Sequence, residues 1–278
     1  MLINLPPLAA EPIFNIGSFS VTNTYINSSI AVVFFAVVGF LMRSRLKNVP
    51  RGLQNFAESI VELFLKYIDQ VTGDRKRSLK FMPFVGSLFL FIIFSNWIGI
   101  LPGVGSIGIF KSVDGIKEFI PILRSANTDL NMTLSMAVLG VAVSHILGIA
   151  TIGFFKYANK FFKFGDLWKE LKAAKPVGIF VAVLEFGVGL LEIVSEIAKM
   201  VSLSLRLFGN IFAGEVLLTV LGSLVAYLVP LPFLGLEMLV GFIQAVVFSM
   251  LVLVYLTVAT TPVPEAHGHG AEAAAAAH

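Results

Sequence analysis

Apolar runs of membrane-crossing length alternate with short stretches rich in lysine and arginine. A helix needs about 20 apolar residues to cross a hydrocarbon core. Tyr25–Met42 meets that length and ends in Arg43-Ser-Arg-Leu-Lys47. Phe81–Leu101 is a second span, stopped by Pro102-Gly103, and Leu130–Phe155 a third, preceded by Asn127-Thr-Asp129. Between the first two, Leu53–Val71 repeats Phe56, Ile60, Leu63, Phe64 and Tyr67 at helical spacing, with Glu58, Glu62, Lys66 and Asp69 on its other faces. That pattern predicts an amphipathic helix lying in the interface rather than crossing it.

The last two apolar stretches are longer. Residues 177–222 carry no proline, and about 46 residues at 1.5 Å each would extend roughly 69 Å, over twice the hydrocarbon thickness. Such a helix either breaks, near Gly187 or Gly209, or tilts steeply; tilt is the favoured reading. Pro230 and Pro232 mark a turn, and 234–260 runs apolar again. The expected fold is an all-α membrane protein of about five transmembrane helices plus the interfacial helix. A long tilted hairpin, about 177–222 and 234–260, closes it.

Composition agrees with the pattern. The 278 residues are 57% hydrophobic and 13% charged, against about 25% charged in soluble domains, and the mean hydropathy is +0.90. The pI near 9.1 does not point to nucleic acid, because the basic residues cluster at the ends of apolar runs. With no cysteine, disulfides, thiolate catalysis and Cys-ligated zinc are excluded. No cofactor or metal is expected; a metal site in the His267-Gly-His-Gly tail is the least favoured reading.

Lysine and arginine also set the orientation. Nine fall in residues 43–80 and six lysines in 156–175, whereas residues 1–42 and 222–232 have none and 102–128 have Lys111, Lys117 and Arg124. The amino terminus is therefore expected outside and the carboxyl terminus inside, in one integral membrane domain. Residues 1–24 form an external segment that does not read as a cleaved signal peptide, lacking a basic n-region. Residues 262–278 are an internal tail of disordered composition.

Candidate chemistry concentrates in the hairpin. Arg206 sits deep in an apolar run with no lysine or arginine after it. A guanidinium stays charged at any reachable pH, and holding one at a bilayer centre costs about 2.5–3.5 kcal/mol on insertion scales. At 100° per residue, Glu192 and Lys199 lie within about 40° of Arg206, and Glu185 and Glu196 within about 80°. Glu215 is rotated about 180° away. On the last helix Glu237, Gln244 and Tyr255 share a face. A hairpin folded near residue 226 matches Glu215 in depth with Glu237, and Arg206 and Asn210 with residues around Gln244.

Plainer readings stand beside these. Glu192, Glu196 and Lys199 equally suit an intrahelical ion-pair network. His145, alone on the third span, is a candidate relay but more often a satisfied packing residue. Thr133, Ser135 and Ser144 commonly bond back to their own helix. The functional reading makes two water-accessible half-paths, an inner one along Glu192, Glu196 and Ser202, and an outer one along Glu215, Glu237, Asn210 and Gln244. They approach each other at Arg206, which cannot pass a proton. A carboxylate on a moving partner would carry the proton across, driven by about 2.3 kcal/mol per charge per 100 mV.

Ser202-Leu-Ser-Leu-Arg-Leu-Phe-Gly-Asn-Ile-Phe-Ala-Gly-Glu215, with Gln244 in Ile-Gln-Ala-Val-Val-Phe, resembles subunit a of F-type ATP synthases. Asn96-Trp-Ile-Gly-Ile-Leu-Pro102 and Thr128-Asp-Leu-Asn-Met-Thr-Leu-Ser135 are similar to that family's other hallmark stretches. The resemblance covers about residues 25–261. It implies that Arg206 faces the rotor carboxylate of the c ring. It also implies that Asn210, Glu215 and Gln244 line the external half-channel, and that Glu192 and Ser202 lie near the internal one. The implied partners are the c ring and the peripheral-stalk subunit b, in a bacterial plasma membrane, with no catalysis by the chain alone. Two positions depart from the family: Glu237, often histidine, and Gly99, where some relatives place an aspartate. Glu237 would then form an acid pair with Glu215, and His145 or Glu237 would supply what Gly99 lacks. The competing reading is an autonomous secondary transporter with Arg206 binding an anionic solute.

Overall fold

A computed structural model describes residues 6–43, 46–47, 49–101, 103–113, 116–162, 176–224 and 229–261. Its elements run β1 (Pro12–Ile16), β2 (Phe19–Thr22), α1 (Asn23–Arg43), α2 (Leu53–Thr72), α3 (Arg75–Ile100), β3 (Gly108–Val113), β4 (Ile116–Pro121), α4 (Leu130–Ile152), α5 (Phe154–Phe162), α6 (Pro176–Leu224) and α7 (Pro230–Thr260). Among the described residues, five helices are long and apolar enough to cross a membrane: α1, α3, α4, α6 (from Phe186) and α7. The all-α membrane fold is therefore as the sequence predicts. Residues 225–228 and 262–278, the latter expected as an internal tail, lie outside the described residues.

Several boundaries moved, each for a local reason. The third span ends at Ile152 rather than Phe155, because Gly153 takes φ 92° and its N–H closes on the Ile149 carbonyl at 2.9 Å. Positive φ costs glycine nothing, so α4 stops there and the short α5 starts. The last helix begins at Pro230, not 234. First-turn N–H groups have no intrahelical acceptor, so prolines are tolerated there. The 49 residues of α6 form one helix with no break at Gly187 or Gly209. At 1.5 Å per residue that is about 74 Å, so it fits a bilayer only when strongly tilted.

Contacts divide the chain into two units, Met1–Val141 with Val194–Val254, and Ala142–Ile193 with Tyr255–His278. The first unit has two antiparallel hairpins, β1–β2 and β3–β4, that the sequence reading did not anticipate. Its apolar interior comes from α3 (Phe81, Val85, Leu88, Phe89, Ile92), α4 (Ala137, Val141), α6 (Leu203, Leu207, Ile211) and α7 (Ala245, Phe248, Val252). On α2 the buried apolar side chains among the described residues are Phe64, Leu65 and Ile68, Phe64 stacking on Phe89 at 4.9 Å. Phe56, Leu63 and Tyr67 remain exposed, the apolar face an interfacial helix turns to lipid.

Lipid tails are as apolar as leucine, so packing and interhelical hydrogen bonds must hold the spans together. Asn96 Nδ2 donates to the Gly241 carbonyl of α7 at 3.1 Å, and Trp97 Nε1 to Met238 at 3.1 Å. Asn127 Nδ2 donates to Asn96 Oδ1 at 2.7 Å, and Asn27 Nδ2 to the Arg124 carbonyl at 2.8 Å. This fully buried amide lattice ties α1, α3, the 126–128 turn and α7. At the α2–α3 corner, Gly73 (φ 65°) ends α2 and the Asp74 side chain caps α3 at Lys76 N. There the Ser78 hydroxyl and the Arg75 guanidinium hold the Asp69 carboxyl below its ordinary 3.8.

In the second unit α5 packs by small-residue contacts. Tyr157 is buried against Gly148 of α4, and the Phe161 carbonyl lies on Gly189 of α6, where any side chain would overlap it.

Candidate functional site

Along the first-unit part of α6, Leu203, Leu207 and Ile211 are at most 3% exposed. They seat that face against the core. Ser202, Arg206 and Asn210, spaced four apart, occupy the other face among exposed Val201, Leu205 and Leu217. Apolar contacts on one side of the helix thus aim Arg206 outward, in an apolar surface, with no ion-pair partner among the described residues. A charge held in hydrocarbon is costly unless it is paired or reaches water.

Towards the start of this stretch, Lys199 Nζ meets Glu196 Oε1 at 2.6 Å, the i,i+3 pair that the sequence also allowed. Glu192 is half-buried on α6 and belongs to the second unit; the Glu185 side chain lies outside the described residues. His145 is in the second unit too, its Nδ1 2.7 Å from the Tyr157 hydroxyl with Phe161 against the ring. It has the partner that a packing role requires.

Beyond Arg206 the four residues expected on the outer path fall into two pairs, Asn210 with Gln244 and Glu215 with Glu237. Asn210 Nδ2 donates to Gln244 Oε1 at 2.8 Å. Glu237 is 7% exposed and its carboxyl rests on Gly214, in space that a methyl group would fill. Its Oε1 has no partner among the described residues, nor has Gln244 Nε2. Glu215 and Glu237 both line a cavity of about 540 Å³, whose wall also includes Glu11, Gly99, Arg124 and Ser125.

The two acids are not alone there, as the sequence reading assumed. Arg124, 3% exposed, donates Nε to Glu215 Oε1 at 2.9 Å and Nη2 to Oε2 at 2.9 Å. Arg124 entered the sequence reading only as a topology charge. Its signal was available: it is the single lysine or arginine between Lys117 and Lys156, beside apolar Ile122-Leu123. Glu11 was missed as well, since no local pattern links residue 11 to a cavity built from four other segments. Gly99 faces Ser125 so closely that an added Cβ would lie 2.8 Å from its Cβ. An aspartate does not fit there without a shift, and this cavity takes its acids from residues 11, 215 and 237 instead.

The family profile described as ATP synthase A chain matches residues 25–257. ATP synthase subunit a of Campylobacter jejuni is 35% identical over 237 residues, 85% of this chain and 89% of that one. ATP synthase subunit a of Moorella thermoacetica is 29% identical over 244 residues, 88% and 93% of the two chains. ATP synthase subunit a 1 of Syntrophotalea carbinolica is 32% identical over 219 residues, 79% and 77%.

Proposed function

The chain belongs to the ATP synthase A chain family, and on that premise we propose that Arg206 is the stator charge separating two proton half-paths. The observation that carries this is the exposed guanidinium on an apolar outward face of α6, with no ion-pair partner among the described residues. A ring of c subunits, each bearing a carboxylate, supplies the partner that face lacks, and subunit b anchors the chain against rotation. Protons enter from outside through the cavity at Glu215 and Glu237 and pass Asn210 and Gln244 to the ring carboxylate. They leave on the inner side along Ser202, Glu196 and Glu192. Arg206 keeps the two paths apart because it never gives up its proton, and it favours the ionised form of each carboxylate that reaches it.

The amino terminus is outside and the carboxyl terminus inside, in a bacterial plasma membrane. The chain itself catalyses no bond making. Arg206→Ala in the assembled complex abolishes ATP-driven proton pumping while the c ring and the chain still co-purify. Coupled pumping at the parent rate would overturn this reading and favour an autonomous transporter, which purified chain in liposomes would then reveal as solute flux.

A further inference from the structure

Glu215 and Glu237 share a cavity but not an environment. Both Glu215 oxygens accept from Arg124, Oε1 from Nε at 2.9 Å and Oε2 from Nε and Nη2 at 3.1 and 2.9 Å. Bidentate guanidinium–carboxylate pairs are geometrically specific and strong. The same guanidinium reaches the amino-terminal segment, Nη2 donating to the Pro7 carbonyl at 2.9 Å and Nη1 to the Ala9 carbonyl at 3.4 Å. Two residues on, the Glu11 N–H donates to Asn23 Oδ1 at 3.3 Å, and Asn23 Nδ2 donates to Glu11 Oε2 at 3.5 Å. Pro6, Pro7 and Glu11 form part of the cavity wall. Glu237 is the contrasting case, buried over Gly214 with Oε1 unpartnered among the described residues.

We infer that Arg124 is a positioning residue of the outer half-path: it occupies the Glu215 carboxylate and latches segment 6–11 across the cavity, leaving Glu237 as the acid that exchanges protons. This rests on the proposed function. A fixed arginine–glutamate pair cannot lend its carboxylate to a travelling proton without leaving a buried cation uncompensated. Glu237 carries no such penalty. Arg124 thus divides two nearby acids into one that builds the wall and one that works. The charged groups lining the cavity are Glu11, Arg124, Glu215 and Glu237.

The test uses the whole ATP synthase in inverted membrane vesicles and compares R124K, R124Q, R124Q/E215Q and E237Q. ATP-driven pumping and its pH profile are measured. In a parallel set of right-side-out spheroplasts carrying L8C, unique because the chain has no cysteine, labelling of this subunit from the outer face by an impermeant maleimide reports the latch. R124Q should cut pumping on the order of tenfold to a hundredfold, change the pH profile and speed labelling at position 8. R124K should retain part of the activity, since an ammonium keeps the charge but not the fork. R124Q/E215Q should recover part of the R124Q loss, because no charge is stranded, whereas no change at 124 should rescue E237Q.

Parent-level pumping with an unchanged pH profile in R124Q would overturn the inference, as would R124Q/E215Q pumping less than R124Q. If R124Q does not assemble, R124K decides: parent activity, pH profile and labelling rate would overturn it. Failure of the broader reading looks different, because Arg206→Ala would then still pump.

Discussion

Asn210 of α6 donates its side-chain N–H to Gln244 Oε1 of α7 at 2.8 Å, one helical turn beyond Arg206. Gln244 is 3% exposed, so its amide depends on this bond. Gln244→Leu removes the acceptor of the Asn210 amide, a loss of about 0.5–1.5 kcal/mol because Asn210 is itself exposed. Assembly should persist and ATP-driven pumping should fall severalfold, read by fluorescence quenching in inverted vesicles. Gln244→Glu, which keeps an acceptor, should pump more than Gln244→Leu.

Gly214 makes room for Glu237. A methyl at position 214 would overlap the Glu237 carboxyl, so Gly214→Ala should displace it and lower pumping about as much as Glu237→Gln. Shortening the acid in Gly214→Ala/Glu237→Asp should restore part of the loss. Equal pumping by Gly214→Ala and the parent would remove the glycine from this role.

Asn96 serves the fold. It donates to the Gly241 carbonyl and accepts from Asn127, and it is fully buried. Asn96→Ala removes both bonds, while Asn127 Nδ2 keeps the Ile92 carbonyl at 3.3 Å, so it should destabilise the chain by about 1–3 kcal/mol, the net worth of two hydrogen bonds. The expected result is less subunit in purified complex, with near-parent pumping per assembled complex.

The α2–α3 corner should be acid-sensitive. Asp69 is held below its ordinary 3.8 by the Ser78 hydroxyl and Arg75. A lowered native value means the carboxylate contributes stability above the unfolded value, and loses it as pH falls through the native value. Amide protection around Gly73 should therefore drop at pH below about 4 in the parent. In Asp69→Asn it should be lower at neutral pH and lack that step, as hydrogen exchange would show.

Five spans and the interfacial helix were legible because each rests on local period and length. Leu53–Val71 announces its amphipathic character within its own residues. The hairpins were not read, although Asp114-Gly115 between apolar runs is a two-residue turn signal and Gly17 carries φ 63°. Short strands hold too few alternating positions to compete with neighbouring 20-residue runs. In the site, the meeting of Asn210 with Gln244 followed from counting residues about a hairpin. Glu215 went to a different partner, because hairpin symmetry matches depth but says nothing of what a third segment inserts between.

Sequence alone determined that this chain spans a membrane, which stretches cross it, and that Arg206 stands in an apolar run as a charge without a neighbour of opposite sign on its own turn. Those are properties of one helix at a time, fixed by spacing and by the cost of charge in hydrocarbon. Only the tertiary structure decided how the acids are shared. It brought Arg124 onto Glu215, laid Glu237 over Gly214, and closed the cavity with Glu11 from the far end of the chain. The physical reason is that an ion pair or a steric notch depends on ångström-scale approach between segments distant in sequence, which packing and buried hydrogen bonds set.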